Sequence, residues 1–253
     1  MFTVPAQAYG RFMGRYSEPL ADRLVELLDP RPGTVAADVG CGPGMVSARL
    51  VERLGPASVH AFDPSEPFVA AAAARLPDVD VRQAGAERLP LADDSVDLYI
   101  AQLVFPFVAD RAAAMAEAVR VVRPGGMLAA TVWDSGGGRS PLDPFWSVVH
   151  SLDPHAPSDG DLFGTHDGQL VGLFEEAGLA DVRQRDLTVE ITIAGRQEWW
   201  EPYTLGVGPP GQYLAGLTDE DRERVRQACF SWLPDGPITA RASAWLATGT
   251  VPG

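Results

Sequence analysis

Apolar residues recur in two alternating rhythms along the first half of the chain. Residues 18–29 (EPLADRLVELLD) space Leu20, Leu24, Leu27 and Leu28 at helical intervals, and Pro30-Arg31-Pro32-Gly33 stops the helix. TVAADV (34–39) is a short apolar run with an acid near its end, read as a buried strand. Helical period returns over Met45–Leu54 through Val46, Leu50, Val51 and Leu54, and Gly55 closes it. SVHAFD (58–63), DVDVRQ (78–83), SVDLYIAQL (95–103) and MLAATVWD (127–134) read as further strands. Between them, FVAAAAARL (68–76) and Arg111–Val122 read as helices, the second ended by a turn at Arg123-Pro124-Gly125-Gly126. Strands alternating with helices of about ten residues predict βαβ units. The fold class is therefore α/β: a Rossmann-like, mostly parallel sheet with helices on both faces.

After residue 134 the rhythm breaks. Residues 135–165 are rich in Gly, Pro, Ser and Asp and read as a long irregular excursion. Gln169–Ala177 predicts a short helix, Leu179–Ile193 a strand or hairpin, and Ala242–Thr248 a last strand. Residues 196–234 hold aromatic and helical segments, including Glu198-Trp199-Trp200-Glu201 and a helix over 218–232. Loops this long in a compact fold are usually functional, as lids or binding loops, or else disordered. The expected organisation is one domain over 1–253. Its core is 20–134 and 166–193 with a last strand in 240–250, and a helical lid is drawn from 1–19, 135–165 and 196–234.

Composition narrows the setting. All 20 basic residues are arginine against 34 acids, giving a net charge of −14. An acidic surface without a basic patch argues against nucleic acid as a partner. No apolar run reaches the ~20 residues that span a bilayer, and MFTVPAQAYGRF lacks the layout of a signal peptide. With only Cys41 and Cys229, a reducing cytoplasm is the expected compartment. The oligomeric state is not legible.

Chemistry concentrates in DVGCGPG (38–44), which follows the first strand and opens a helix, where parallel sheets bind ligands. A dinucleotide fingerprint needs G-x-G-x-x-G, and its third position is here Met45. The spacing is instead Gly40, Gly42, Gly44, with Asp38 two residues ahead. An acid there repels a pyrophosphate but suits a ligand carrying positive charge, such as S-adenosylmethionine. Asp63 ends the second strand 19 residues past Gly44, where a carboxylate can accept both ribose hydroxyls.

AADVGCGPG (36–44), AFDPSEPFV (61–69), GAERLPLADDSVD (85–97) and RPGG (123–126) together resemble a class I S-adenosylmethionine-dependent methyltransferase. The likeness is to the subgroup similar to ubiquinone/menaquinone C-methyltransferases, and YGRFMGRYSEPLA (9–21) is similar to its actinobacterial members. The specific match covers 9–134. The resemblance implies that Asp38, Gly40, Cys41, Gly42 and Gly44 surround the methionine moiety, with Cys41 as a small packing residue. It implies Asp63 at the ribose with Pro64 beside the adenine, and Gly85, Ala86 and Glu87 flanking that ring. Gln102 and Leu103 would face the sulfonium, and Tyr9, Arg15 and Tyr16 would close over the cofactor. Relatives often carry Asp or Asn at Gly85, and a histidine where this chain reads Phe105-Pro106-Phe107.

Transfer from a sulfonium needs alignment above all, and a base only where the acceptor must lose a proton. The base candidates are His150, His155 and His166 in the irregular excursion. No histidine or cysteine spacing suits a metal. Aromatics of the poorly matched segments, Trp146, Trp199, Trp200 and Tyr203, are expected to form an apolar acceptor pocket together with Phe105. Because Trp199 and Trp200 are adjacent, one of them is expected at a surface or cavity. The expected activity is methylation of a small organic acceptor at O, N or C, secondary-metabolite or quinone-like. A methyltransferase-like cyclase and a non-catalytic binding module are the alternatives.

Overall fold

The apolar runs become the centre of a single seven-stranded sheet in the computed structural model, which describes residues 6–253. The strands are β1 (Ala36–Val39), β2 (Val59–Asp63), β3 (Asp80–Gln83), β4 (Val96–Gln102), β5 (Val122–Trp133), β6 (Ala180–Ile193) and β7 (Ile238–Thr250). Their order is β3-β2-β1-β4-β5-β7-β6. β1 to β5 pair in parallel, while β7 runs antiparallel between β5 and β6. The chain winds outward from β1 through β2 and β3, then returns to add β4 and β5 on the other side. That reversal leaves a crevice beyond the carboxyl ends of β1 and β4.

The helices are α1 (Ala6–Tyr9), α2 (Arg15–Leu28), α3 (Met45–Leu54), α4 (Glu66–Arg75), α5 (Arg111–Val121), α6 (Asp143–Leu152), α7 (Gln169–Glu176), α8 (Arg196–Trp200), α9 (Gly208–Ala215) and α10 (Asp219–Trp232). Successive strand residues point to opposite faces, and both faces are covered. Ala36, Leu98 and Ile100 pack under Leu20, Leu24, Val46 and Leu50 of α2 and α3. Ala37, Phe62 and Tyr99 pack under Ala114, Met115 and Phe174 of α5 and α7. This double covering is why the strands read as unbroken apolar runs. A third cluster joins α6, α8 and α10 through Phe145, Trp146, Trp199, Trp200 and Cys229.

The parallel sheet and its two helical layers match the fold class read from the sequence. Several details differ. The excursion at 135–165 holds the regular helix α6, which Pro144 opens and which buries Phe145, Trp146, Val148 and Val149. Its flanks carry the Gly, Pro and Ser that concealed it. Of the strand or hairpin expected over Leu179–Ile193 the structure forms the single strand Ala180–Ile193, and β7 extends the predicted last strand at both ends, because each completes the other's ladder. The N-terminal helix starts well before residue 18: α1, a π-helical turn over Gly10–Gly14 and α2 follow one another without a break. Residues 1–5 of the expected lid lie outside the described residues. Among the described residues no helix is long and apolar enough to cross a membrane.

Candidate active site

The crevice holds a cavity of about 340 Å³, within the range of small-molecule sites. The strand ends contribute Gly40, Gly42, Asp63, Gln102, Leu103 and Trp133. The π-helical turn and its neighbours contribute Tyr9, Phe12 and Met13, and the segments after β5 contribute Leu142, Asp159, Leu162 and Val207.

The floor depends on bare backbone. Gly40 has φ +71°, and a Cβ there would stand 2.4 Å from Val104 Cγ2. Its N–H and that of Cys41 both donate to the Phe62 carbonyl, at 2.7 and 2.9 Å, so the loop turns tightly across β2. Gly42 (φ +54°) faces open space, with no atom within 4 Å of a Cβ. Gly40→Ala combines left-handed strain with overpacking against Val104, each costing about 1–2 kcal/mol. It is expected to lower the melting temperature by several degrees, and Val104→Ala should restore part of that loss. Melting curves of the single and double variants check this.

Asp63 is 6% exposed. Its Oδ1 accepts from Ser65 N (2.8 Å) and its Oδ2 from Gly42 N (2.9 Å). Burial pushes its carboxyl above the ordinary range, against the pull of those two hydrogen bonds. Asp38 lies behind the loop rather than on the wall. Its Oδ2 accepts from Ser47 N (2.9 Å) and Ser47 Oγ (2.5 Å), tying the end of β1 to the first turn of α3. Burial raises its carboxyl to about 7, again against the Ser47 hydrogen bonds. A folded-state value above the unfolded one means a stability contribution fully present below about pH 4 and lost as pH rises to about 7. Asp38→Asn has no such titration, so wild-type melting temperature should fall relative to the variant between pH 4.5 and 8.

At the end of β4, Leu103 takes a left-handed conformation (φ +64°) although it is not glycine. Its N–H donates to the Thr131 carbonyl at 2.8 Å. Backbone of this kind persists where its surroundings hold it, often at sites of function. Gln102 donates from Nε2 to the Ser17 carbonyl (2.9 Å), and its Oε1 has no partner among the described residues. Asp159 also lines the cavity and is 5% exposed. Its Oδ2 accepts from Trp146 Nε1 at 3.0 Å, while Oδ1 has no partner among the described residues. Asp63 and Asp159 are the only charged side chains among the described residues of the wall.

Of the residues expected to hold the cofactor, Tyr9, Gly40, Gly42, Asp63, Pro64, Gln102 and Leu103 meet on the wall. Others stand back from it. Tyr16 is buried beneath α2, and Arg15 donates to the Arg11 carbonyl. Cys41 is buried against Ala61 and Ala72, and Gly44 begins α3 with φ +84°. Ala86 packs in the core beneath the sheet, while Gly85 borders its neighbour Glu87, which is exposed.

The expected acceptor residues are not on the wall. Phe105 is core, and the same turn presents Pro106 and Phe107 to the cavity instead. Trp199, Trp200 and Tyr203 are buried in the lid cluster, so the expectation of one surface tryptophan fails. Trp146 reaches the cavity only through Asp159. None of the three histidines lines the wall. His150 Nε2 sits 3.2 Å from the Ala156 carbonyl, His166 Nε2 sits 3.1 Å from the Gly160 carbonyl, and His155 is exposed. Asp159, Phe12, Met13 and Trp133 went unread in the sequence. An isolated Asp in a Gly- and Ser-rich stretch carries no local signal.

Bare backbone at Gly40 and Gly42, a buried carboxylate at the end of β2 and the lack of cationic side chains among the described residues of the wall fit a positively charged, hydroxyl-bearing ligand such as S-adenosylmethionine. Comparison with known proteins agrees. Residues 37–130 match a family described as a methyltransferase domain. The chain is 31% identical to nocamycin O-methyltransferase of Saccharothrix syringae over 92% of this chain and 91% of that one. It is 31% identical to a probable S-adenosylmethionine-dependent methyltransferase of Mycolicibacterium smegmatis, over 72% and 70%. A stretch covering 44% of the chain is 42% identical to an uncharacterized 37.1 kDa protein of a Streptomyces fradiae transposon, but spans only 34% of that protein. The YcgJ protein of Bacillus subtilis shares the fold at TM-score 0.58 and 17% identity, covering 93% and 99% of the two chains. The [4+2]-cyclase SpnF shares it at TM-score 0.55 and 18% identity, covering 94% and 82%. Sequence, fold and cavity thus place this chain in the family of class I S-adenosylmethionine-dependent methyltransferases.

Proposed function

We propose that the enzyme methylates a hydroxyl oxygen of an uncharged, mainly apolar small molecule, of secondary-metabolite or quinone-like character. The composition of the wall carries this reading. Apart from Asp63 and Asp159 it is built of aromatic, aliphatic and neutral groups, so an anionic acceptor would meet two carboxylates with no counter-charge from the protein. The similarity to a protein named as an O-methyltransferase, along nearly its whole length, supports oxygen as the acceptor atom.

In this reading the backbone of Gly40 and Gly42 lies against the methionine part of the cofactor, and Asp63 accepts the ribose hydroxyls. Each Asp63 oxygen already holds one backbone N–H and keeps a second lone pair. Pro64 flanks the adenine, and Leu103 with Gln102 borders the sulfonium side. The cofactor supplies an activated methyl group and its own leaving group. The chain's task is to align acceptor and methyl and to exclude water. Alignment alone contributes ~7–11 kcal/mol, and the apolar lid residues Leu142, Leu162 and Val207 serve the exclusion.

Incubation of the purified protein with methyl-labelled cofactor and a panel of hydroxyl, amine and carboxylate acceptors tests the proposal. Label is expected in ethers of neutral hydroxyl compounds. Label found only in esters or amines would overturn it. Conversion of a substrate with all label retained on the cofactor would instead identify the cyclase alternative.

A further inference from the structure

We propose that Asp159 recognises the acceptor's hydroxyl group and takes its proton as the oxygen attacks, which makes it a catalytic residue of this cavity. The inference rests on the methyl-transfer reading above. Asp159 sits in the short turn Asp159–Asp161 and lines the same cavity as Asp63. It is buried to 5% exposure, yet no arginine or histidine among the described residues neutralises it. Protein supplies one partner: Trp146 Nε1 holds Oδ2 at 3.0 Å. Oδ1 is left with none among the described residues. A buried carboxylate oxygen without a hydrogen bond is costly, and a donor brought by the acceptor removes that cost.

The choice of donor follows from charge. An ammonium has no lone pair to attack with, and it would be repelled by the sulfonium in the same cavity. A phenolate would meet two carboxylates, Asp63 and Asp159, against a single sulfonium. A neutral hydroxyl suffers neither repulsion, and it becomes a strong nucleophile only as its proton leaves. Burial also raises the Asp159 carboxyl above its ordinary value, against the Trp146 hydrogen bond, which makes it a better proton acceptor.

The step balances. The oxygen lone pair forms the new O–CH₃ bond as the S–CH₃ bond breaks, and that bonding pair stays on sulfur as a neutral thioether. The hydroxyl proton passes to Asp159 Oδ1, and the neutral acid returns it to solvent after product leaves. Trp146 is a positioning residue: by holding Oδ2 it fixes the orientation of the carboxylate.

Calorimetry on the full chain saturated with S-adenosylhomocysteine, using 2-naphthol and 2-methoxynaphthalene as probes, tests this without turnover. The two probes differ in the hydroxyl proton that Oδ1 would accept. Wild type is expected to prefer 2-naphthol by roughly ten- to a hundredfold, the worth of one hydrogen bond to a carboxylate. In Asp159→Asn the amide oxygen stays on Trp146 Nε1, so an NH₂ group replaces the free oxygen and the preference should vanish. S-adenosylhomocysteine affinity should be unchanged, showing that the variant is folded. A wild type without the preference, whether or not it binds either probe, overturns the proposal, as does a variant that keeps it. Failure of S-adenosylhomocysteine to bind wild type would instead overturn the methyltransferase reading beneath it.

Discussion

Trp199→Ala and Trp200→Ala should each destabilise the protein by about 3–5 kcal/mol, the usual cost of emptying a large aromatic site in a core. Both side chains are 4% exposed. Adjacent helical residues point about 100° apart, which is why one of the pair was expected at a surface. The lid encloses more than one stripe of this short helix. Tyr203 lies four residues after Trp199 and three after Trp200, so it neighbours both, with ring centroids 4.8 and 6.4 Å away. Phe145 from α6 stacks on Tyr203 at 4.6 Å and lies 6.5 Å from Trp200. At roughly 2–4 °C per kcal/mol in a chain of this size, melting should fall by about 6–20 °C, or the lid should melt separately. Calorimetric scans decide. A near-normal melting temperature with selective loss of acceptor turnover would show that one indole lines the acceptor site after all.

Asp63→Ala should weaken S-adenosylhomocysteine binding by about a hundredfold and also lower stability by about 1–3 kcal/mol. From the sequence, a carboxylate ending a strand at a pocket is dispensable to the fold. The structure corrects this, because both oxygens already hold backbone N–H groups of Gly42 and Ser65. Removing the carboxylate therefore leaves two donors unpaired and loosens the glycine loop as well as the ribose contact. Asp63→Asn keeps one acceptor oxygen, so it should retain more stability than affinity. Titration calorimetry and melting curves on the two variants separate the effects. Normal affinity in Asp63→Ala would remove Asp63 from the cofactor site.

Cofactor chemistry was legible because local sequence rules act on it directly. A left-handed turn with Val104 pressed against it admits only glycine at residue 40, so the need for bare backbone appears as letters in the chain. Asp63 is announced by position, since a strand of known length ends there. The acceptor side offers no such rule. Phe105 and Phe107 are two residues apart in one turn, yet only Phe107 lines the cavity. Composition could not choose between them.

The sequence by itself determined the alternation of strands and helices, the glycine loop and the carboxylate at the end of β2. Each follows from a short-range cause: periodic burial of side chains, allowed backbone angles, and the distance a strand covers per residue. Only the tertiary structure decided which aromatics are lid core and which are cavity wall, and that Asp38 braces α3 instead of facing ligand. It alone paired Trp146 with Asp159, 13 residues apart across a turn that no periodicity describes. Those outcomes depend on how α6, α8 and α10 pack against one another, and such packing is a property of the assembled chain rather than of any segment in it.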